Sequence, residues 1–309
     1  MDKRRDAIEK RANAIFQVVL SDVIGLRSGQ SSAEAAMTRL RDEYRQEMRG
    51  FRLVLYLKER VGKPSKGLYW GRLRRDEKTG RYVVIHIKGG LKKSDIYRNS
   101  EASRKERLLD YDRRRALLNV AHQECTQALE SANKRWRPRA NRQEWECQDP
   151  GLAPPALPPR VLSLDEGLLG DLWMVCQRLA ATSVDVGIFC ANYEANPIHK
   201  AVNLVHESGR EHPHGRARWH HKGHPLMWLD ESGPQERLTD KRLRQTRRLE
   251  VSAGDRKLLL GVENERRRLM RHLRKYTEPM NEFRLRSTRS ATNACKNIAA
   301  AEGGVGVVA

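Results

Sequence analysis

Cysteine, long apolar runs and the common catalytic signatures are all scarce or missing in this 309-residue chain, and each shortage narrows what it can be. Five cysteines (Cys125, Cys147, Cys176, Cys190, Cys295) stand far apart with no Cys-x-x-Cys pair. Neither a zinc ribbon nor a disulfide framework is indicated, and the odd, scattered set suits the cytoplasm. No apolar run reaches the roughly 20 residues that a spanning helix needs; "AIFQVVLSDVIGL" is interrupted by Asp22. No membrane association is therefore expected. The charged start "MDKRRD" runs into a helical pattern without a small-residue cleavage site, so no signal peptide is expected either. There is no P-loop, no G-x-S-x-G, no paired catalytic carboxylates and no Arg…His-x-x-Arg…Tyr set. The expectation is a protein that is not an enzyme and needs no cofactor.

Positive charge is what the chain has in excess. Lys and Arg number 60 against 39 Asp and Glu, giving a net charge of +21 and a pI near 10.2. Such an excess speaks of partners, and the commonest strong polyanion is nucleic acid. The charge is concentrated: residues 51–100 carry 14 basic and 4 acidic residues, and residues 233–290 carry 17 and 8.

The pattern of elements predicts an α+β protein of two related lobes, each a short antiparallel sheet of two to three strands packed with helices. Residues 1–134 form the first lobe. Apolar positions Ile8, Ile15, Phe16, Val19 and Val23 mark one helix, and the capping-box spacing of Ser31 and Glu34 opens a second towards Met48. "RLVLYLK" alternates as a half-buried strand, "KGLYWGRLRRDEKTGRYVVIHIKGG" adds two more around a turn, and residues 103–134 return to helix. The proline- and arginine-rich segment 135–160 reads as a linker. The second lobe, 161–290, begins at the capping box of Ser163 and Glu166, with helices through Leu179 and over 183–195. "AVNLVHESGREHPHGRARWHH" then parallels "LVLYLKERVGKPSKGLYWGR", with a Trp six residues after the proline in each, and "LMWLDE" supplies the returning strand. That parallel predicts a tandem duplication, with Trp70 and Trp219 as core anchors. The small, uncharged residues 291–309 read as a disordered tail.

Within the first lobe, cations and tyrosines alternate on the strands, and one sheet face should pack on a helix while the other meets a polyanion. Arg52, Lys58, Lys66, Arg72, Arg74, Arg81 and Lys88 are candidate phosphate contacts. Tyr69, Tyr82 and His86 could stack on bases or brace sugars. The helix "ENERRRLMRHLRKY" adds Arg266, Arg267, Arg271 and Arg274.

The order "RLVLYLKER", "GLYW", "IHIKGG" and Tyr97, followed by a helix with Glu124, Ala128 and Arg135, resembles MobI-type mobilisation proteins of integrative conjugative elements and conjugative plasmids. The likeness covers about residues 50–136. It implies an accessory protein acting at the origin of transfer, with DNA ahead of RNA as its nucleic acid and a relaxase or other transfer protein as a partner. Two alternatives stand beside it. Seven of the ten histidines lie between His199 and His224, and His212, His214, His220 and His224 are candidate metal ligands for a nuclease. The other alternative is an RNA-binding or scaffold protein.

Overall fold

The computed structural model describes residues 3–49, 51–59, 66–88, 90–92, 102–140, 152–155, 166–198, 202–230, 233–245 and 251–303. The loop 60–65, Tyr97, Ser163, most of the expected linker and the last six residues lie outside the described residues. Among the described residues, five helices and eight short strands make a mixed α+β protein. They are α1 (Lys3–Glu47), β1 (Leu53–Glu59), β2 (Lys66–Arg75), β3 (Tyr82–His86), α2 (Ala102–Ala140) and α3 (Glu166–Ala195). Then follow β4 (Asn203–Glu207), β5 (Arg216–His221), β6 (His224–Pro225), β7 (Trp228–Asp230), β8 (Gly233–Gln235), α4 (Asp240–Gln245) and α5 (Ala253–Glu302). All three sheets are antiparallel: β1-β2-β3, β4-β5-β6 and the pair β7-β8.

The helices are longer and fewer than the sequence suggests. α1 is a single 45-residue helix, and Ser31 lies in its interior. Glu34 does not turn back to cap a helix. Its carboxylate meets His122 Nε2 at 3.1 Å and Lys66 Nζ at 3.2 Å, partners that local spacing cannot reveal. α3 is likewise one helix where two were expected. It is also long and apolar enough, by length and composition, to cross a membrane, contrary to the expectation for the sequence, and 56% of its most apolar stretch is buried in protein. α2 continues through Pro138 into the expected linker, and α5 carries residues 291–302, expected as tail, in its last turns. "LMWLDE" does not return as one strand: β6 pairs with β5 over two residues, whereas Trp228 and Leu229 belong to β7.

Two compact units result. One comprises residues 20–134 and 283–309 with the first sheet; the other comprises residues 1–19 and 135–282 with the second. The boundaries between them fall after residue 134 and inside α1 and α5.

Each unit contains the same latch. In the first, Tyr44 Oη donates to Leu53 O at 3.0 Å, and its ring meets Trp70 edge-on at 5.1 Å. Trp70 Nε1 donates to Asp112 Oδ1 at 2.7 Å, and Arg115 bonds both Asp112 at 2.8 Å and Leu68 O at 3.5 Å. In the second, Tyr193 Oη donates to Val202 O at 2.8 Å and its ring meets Trp219 at 5.4 Å. Trp219 Nε1 donates to Glu263 Oε2 at 2.7 Å, and Arg266 bonds both Glu263 at 2.7 Å and Ala217 O at 3.0 Å. Trp70 and Trp219 are each 1% exposed, so both are core residues. Burying a large aromatic ring while giving its N–H a partner is the arrangement that avoids a desolvated donor.

Candidate nucleic-acid interface

The first sheet is built around an ordered turn. Asp76 accepts hydrogen bonds from Lys78 N at 3.1 Å and Thr79 Oγ1 at 2.8 Å, and the Thr79 bond, then the Lys78 bond, hold its carboxyl below the usual range. Gly80 closes the turn at φ 66°, a left-handed conformation that glycine adopts without strain. Register then fixes the faces. Leu53, Leu55, Leu68 and Trp70 form the buried face against α1 and α2 residues such as Tyr44 and Leu108. Further along that face, Arg72 pairs across strands with Ile85 and Arg74 with Val83. All four are exposed, Val83 at 43% and Ile85 at 44%, so the helix-packed face ends at Trp70 and the hairpin continues beyond it.

The opposite face is aromatic. Tyr56 Oη lies 2.9 Å from His86 Nδ1, and the Tyr69 ring stands edge-on to His86 at 5.1 Å. Two glycines make room for these rings. A Cβ on Gly67 would come within 2.8 Å of the Tyr69 ring, and one on Gly71 within 2.9 Å of Tyr56 and 2.3 Å of Val84 Cγ1. Glycine inside a strand marks a close approach, and here the approaching groups are tyrosine rings laid across the sheet. Tyr82 is 69% exposed. Arg52, Lys58, Arg81 and Lys88 are exposed around this hairpin, and Arg74 faces only a distant, exposed Glu77 at 3.9 Å. Lys66 is held by Glu34 and is the least available of the set. The first-lobe candidates thus gather on one sheet, spread over both of its faces.

The second sheet presents a different surface at the matching positions. Glu207 bonds Arg216 at 2.6 Å and His220 at 2.8 Å, and Glu236 sits 3.2 Å from Arg218. Burial opposes ionisation of Glu207, but hydrogen bonds from His220 and Arg216 and the charges of Arg216 and Arg218 outweigh it and hold the carboxyl below its usual range. Cations on this sheet are therefore compensated locally.

On α5, Arg266 is not a surface cation. Its side chain is 7% exposed and its partner Glu263 is 2% exposed. The spacing Leu259, Glu263, Arg266, Leu273 puts Arg266 on the buried helical stripe, a signal available in the sequence. Arg267, Arg271 and Arg274, in contrast, line a groove of about 630 Å³ with the loop 211–216, which the sequence singled out only for His212 and His214 as metal ligands, and with Arg237, which it did not single out. The four candidate metal ligands do not converge. His212 and His214 lie in the loop before β5, and His220 is engaged by Glu207 and by Gly223 O at 3.3 Å. Among the described residues, no three His, Cys, Asp or Glu side chains come together as a metal site.

No protein-family model, curated protein or solved structure matches the chain. The chemistry of these surfaces is therefore what supports a functional reading.

Proposed function

We propose that this protein is a DNA-binding accessory protein of a conjugative or other mobile element, acting in the cytoplasm at the origin of transfer and presenting DNA to a relaxase or another transfer protein. One observation carries the DNA-binding part: the β2–β3 hairpin projects past the core with Arg72, Arg74, Arg81 and Lys88 exposed beside Tyr82. Cations of this kind neutralise phosphates and release counterions, and the apolar Val83 and Ile85 suit contact with base edges such as the thymine methyl. The mobilisation part rests on the resemblance of residues 50–136 to MobI-type proteins. The paired latches, offset by 149 residues from Tyr44 to Tyr193 and from Trp70 to Trp219, support reading the chain as a tandem duplication whose two sheets have diverged in surface.

The test is to change Arg72, Arg74 and Arg81 together to Gln and measure duplex binding across salt concentrations. Affinity should fall on every sequence, and the slope of log K against log salt should become shallower by up to about three units at ~0.9 per phosphate. The melting temperature should hardly move. Full affinity with an unaltered slope would place the duplex site elsewhere.

A further inference from the structure

We infer that the groove beside α5 is a second nucleic-acid site, built for a single strand, so that the protein holds a duplex on one unit and an unpaired strand on the other. The inference does not depend on the first sheet, because every residue it uses lies within residues 135–282.

Helical spacing sets one wall. Arg267, Arg271 and Arg274 stand at i, i+4 and i+7, on one face of α5, so their backbone positions span about 10 Å along the axis at 1.5 Å per residue. Arg237 also lines the groove, as do Glu211, Glu236 and Arg216, the last of which Glu207 and Glu236 pair. Among the described residues no carboxylate comes within ion-pair distance of Arg237, Arg267, Arg271 or Arg274, although α5 has acidic neighbours that pair with other arginines: Glu263 with Arg266, and Glu265 with Arg268 at 2.7 Å. The helix satisfies some arginines internally and leaves this row facing the groove.

The lining also contains Met227, Met270 and Leu273. Leu273 is buried, Met227 is 42% exposed, and Met270 Sδ is tied to β5 through Ala217 N at 3.4 Å. An apolar, polarisable floor between guanidinium planes suits flat bases, and arginine both neutralises phosphate and stacks on a base face. An acidic peptide would use the cations and leave the floor without a matching group. The groove, of about 630 Å³, is of a size that takes a small ligand such as one or two nucleotides, and its methionines offer a surface that only bases freed from pairing can lie on. Glu207 and Glu236 pair with Arg216 and Arg218 of the second sheet and, among the described residues, with none of Arg237, Arg267, Arg271 or Arg274.

The test compares two triple variants with equal loss of charge: Arg267→Gln, Arg271→Gln, Arg274→Gln in the groove, and Arg72→Gln, Arg74→Gln, Arg81→Gln on the first sheet. Each is titrated against a labelled oligothymidylate and a mixed-sequence duplex, with thermal melts as a check on folding. The groove variant should lose about tenfold or more in affinity for oligothymidylate, with a slope shallower by about two units at ~0.7 per phosphate. Its duplex affinity should stay within about twofold. Unchanged oligothymidylate binding, equal loss on both nucleic acids, or displacement of the oligonucleotide by polyglutamate at lower concentration than by a second oligonucleotide would each overturn the inference. If the groove variant fails to melt like the parent, Arg271→Glu alone, at an exposed position, serves in its place with the same expected selectivity. A first-sheet variant that retains duplex binding would count against the proposed function and leave this result untouched.

Discussion

Trp70 is tied to Asp112 by a 2.7 Å hydrogen bond across 42 residues of sequence, and this bond fastens the first sheet to α2. Asp112 is at the same time bonded by Arg115, so the ring, the carboxylate and the guanidinium act as one latch. Trp70→Ala should cost about 3–5 kcal/mol, as for other buried aromatics. Trp70→Phe keeps an aromatic ring at the site but loses the N–H and part of the indole's volume, so it should cost about 1–3 kcal/mol. Denaturant melts of the two variants measure the difference, and a Trp70→Phe variant as stable as the parent would mean that the hydrogen bond contributes nothing beyond ring packing.

Glu263 in the second unit holds a more buried cation. Glu263→Gln leaves Arg266 in the core without its charge partner, for which about 3–5 kcal/mol is typical. Arg266→Gln should likewise lower stability, whereas Arg271→Gln should leave the melt unchanged. An Arg266 variant that binds less nucleic acid and melts like the parent would contradict the buried placement.

Two glycines predict opposite signs. Gly71→Ala drives a methyl into Val84 and Tyr56, and forced overpacking typically costs about 1–3 kcal/mol. Gly25→Ala in α1 meets nothing within 4 Å and should add about 0.5–1 kcal/mol, the usual difference between the two residues in a helix. A stabilised Gly71→Ala would show that the tyrosine rings do not lie across the sheet.

A pH dependence follows from Glu207. Its folded carboxyl titrates below the ordinary range because His220 and Arg216 outweigh the cost of burial. The resulting stability is present above the unfolded pKa of roughly 4 and is lost as pH falls through the folded value. His206, which burial and then Arg11 hold below the ordinary imidazole value, adds loss in the same direction, starting higher, near pH 6.5. Melting temperature should therefore decline on acidification in two stages, and Glu207→Gln should shrink the lower one, to which Asp76 also contributes. A Glu207→Gln variant with an unchanged acid limb would argue against the ion-pair lattice on β5.

Local pattern carried the sheets and their anchors. Leu53, Leu55, Leu68 and Trp70 alternate as the sequence predicts because one face of β1 and β2 meets helices and the other does not. It failed where the deciding partner is remote. Ser31 and Glu34 have capping-box spacing, yet His122 and Lys66 claim Glu34, and α1 runs on. The arginines of α5 look alike in sequence; their helical phase relative to Leu259 and Leu273 sorts Arg266 inward. The groove was illegible because Arg216, Arg237 and Arg271 become neighbours only when β5, the segment before α4, and α5 are assembled.

The discontinuity of the two units bears on synthesis. The unit with the second sheet needs its first residues together with a segment ending at Glu282, as Arg4 bonded to Asp185 at 2.9 Å and Phe16 against Trp173 at 5.3 Å show. The other unit needs residues 283–302 of the same last helix, where Arg114 donates to Ala301 O at 2.7 Å. Neither unit has all of its residues until α5 is made, although domains generally fold one after another as they leave the ribosome. Phe16 can meet Trp173 once α3 is out, whereas Arg114 waits for Ala301, so α5 is the element that completes both units.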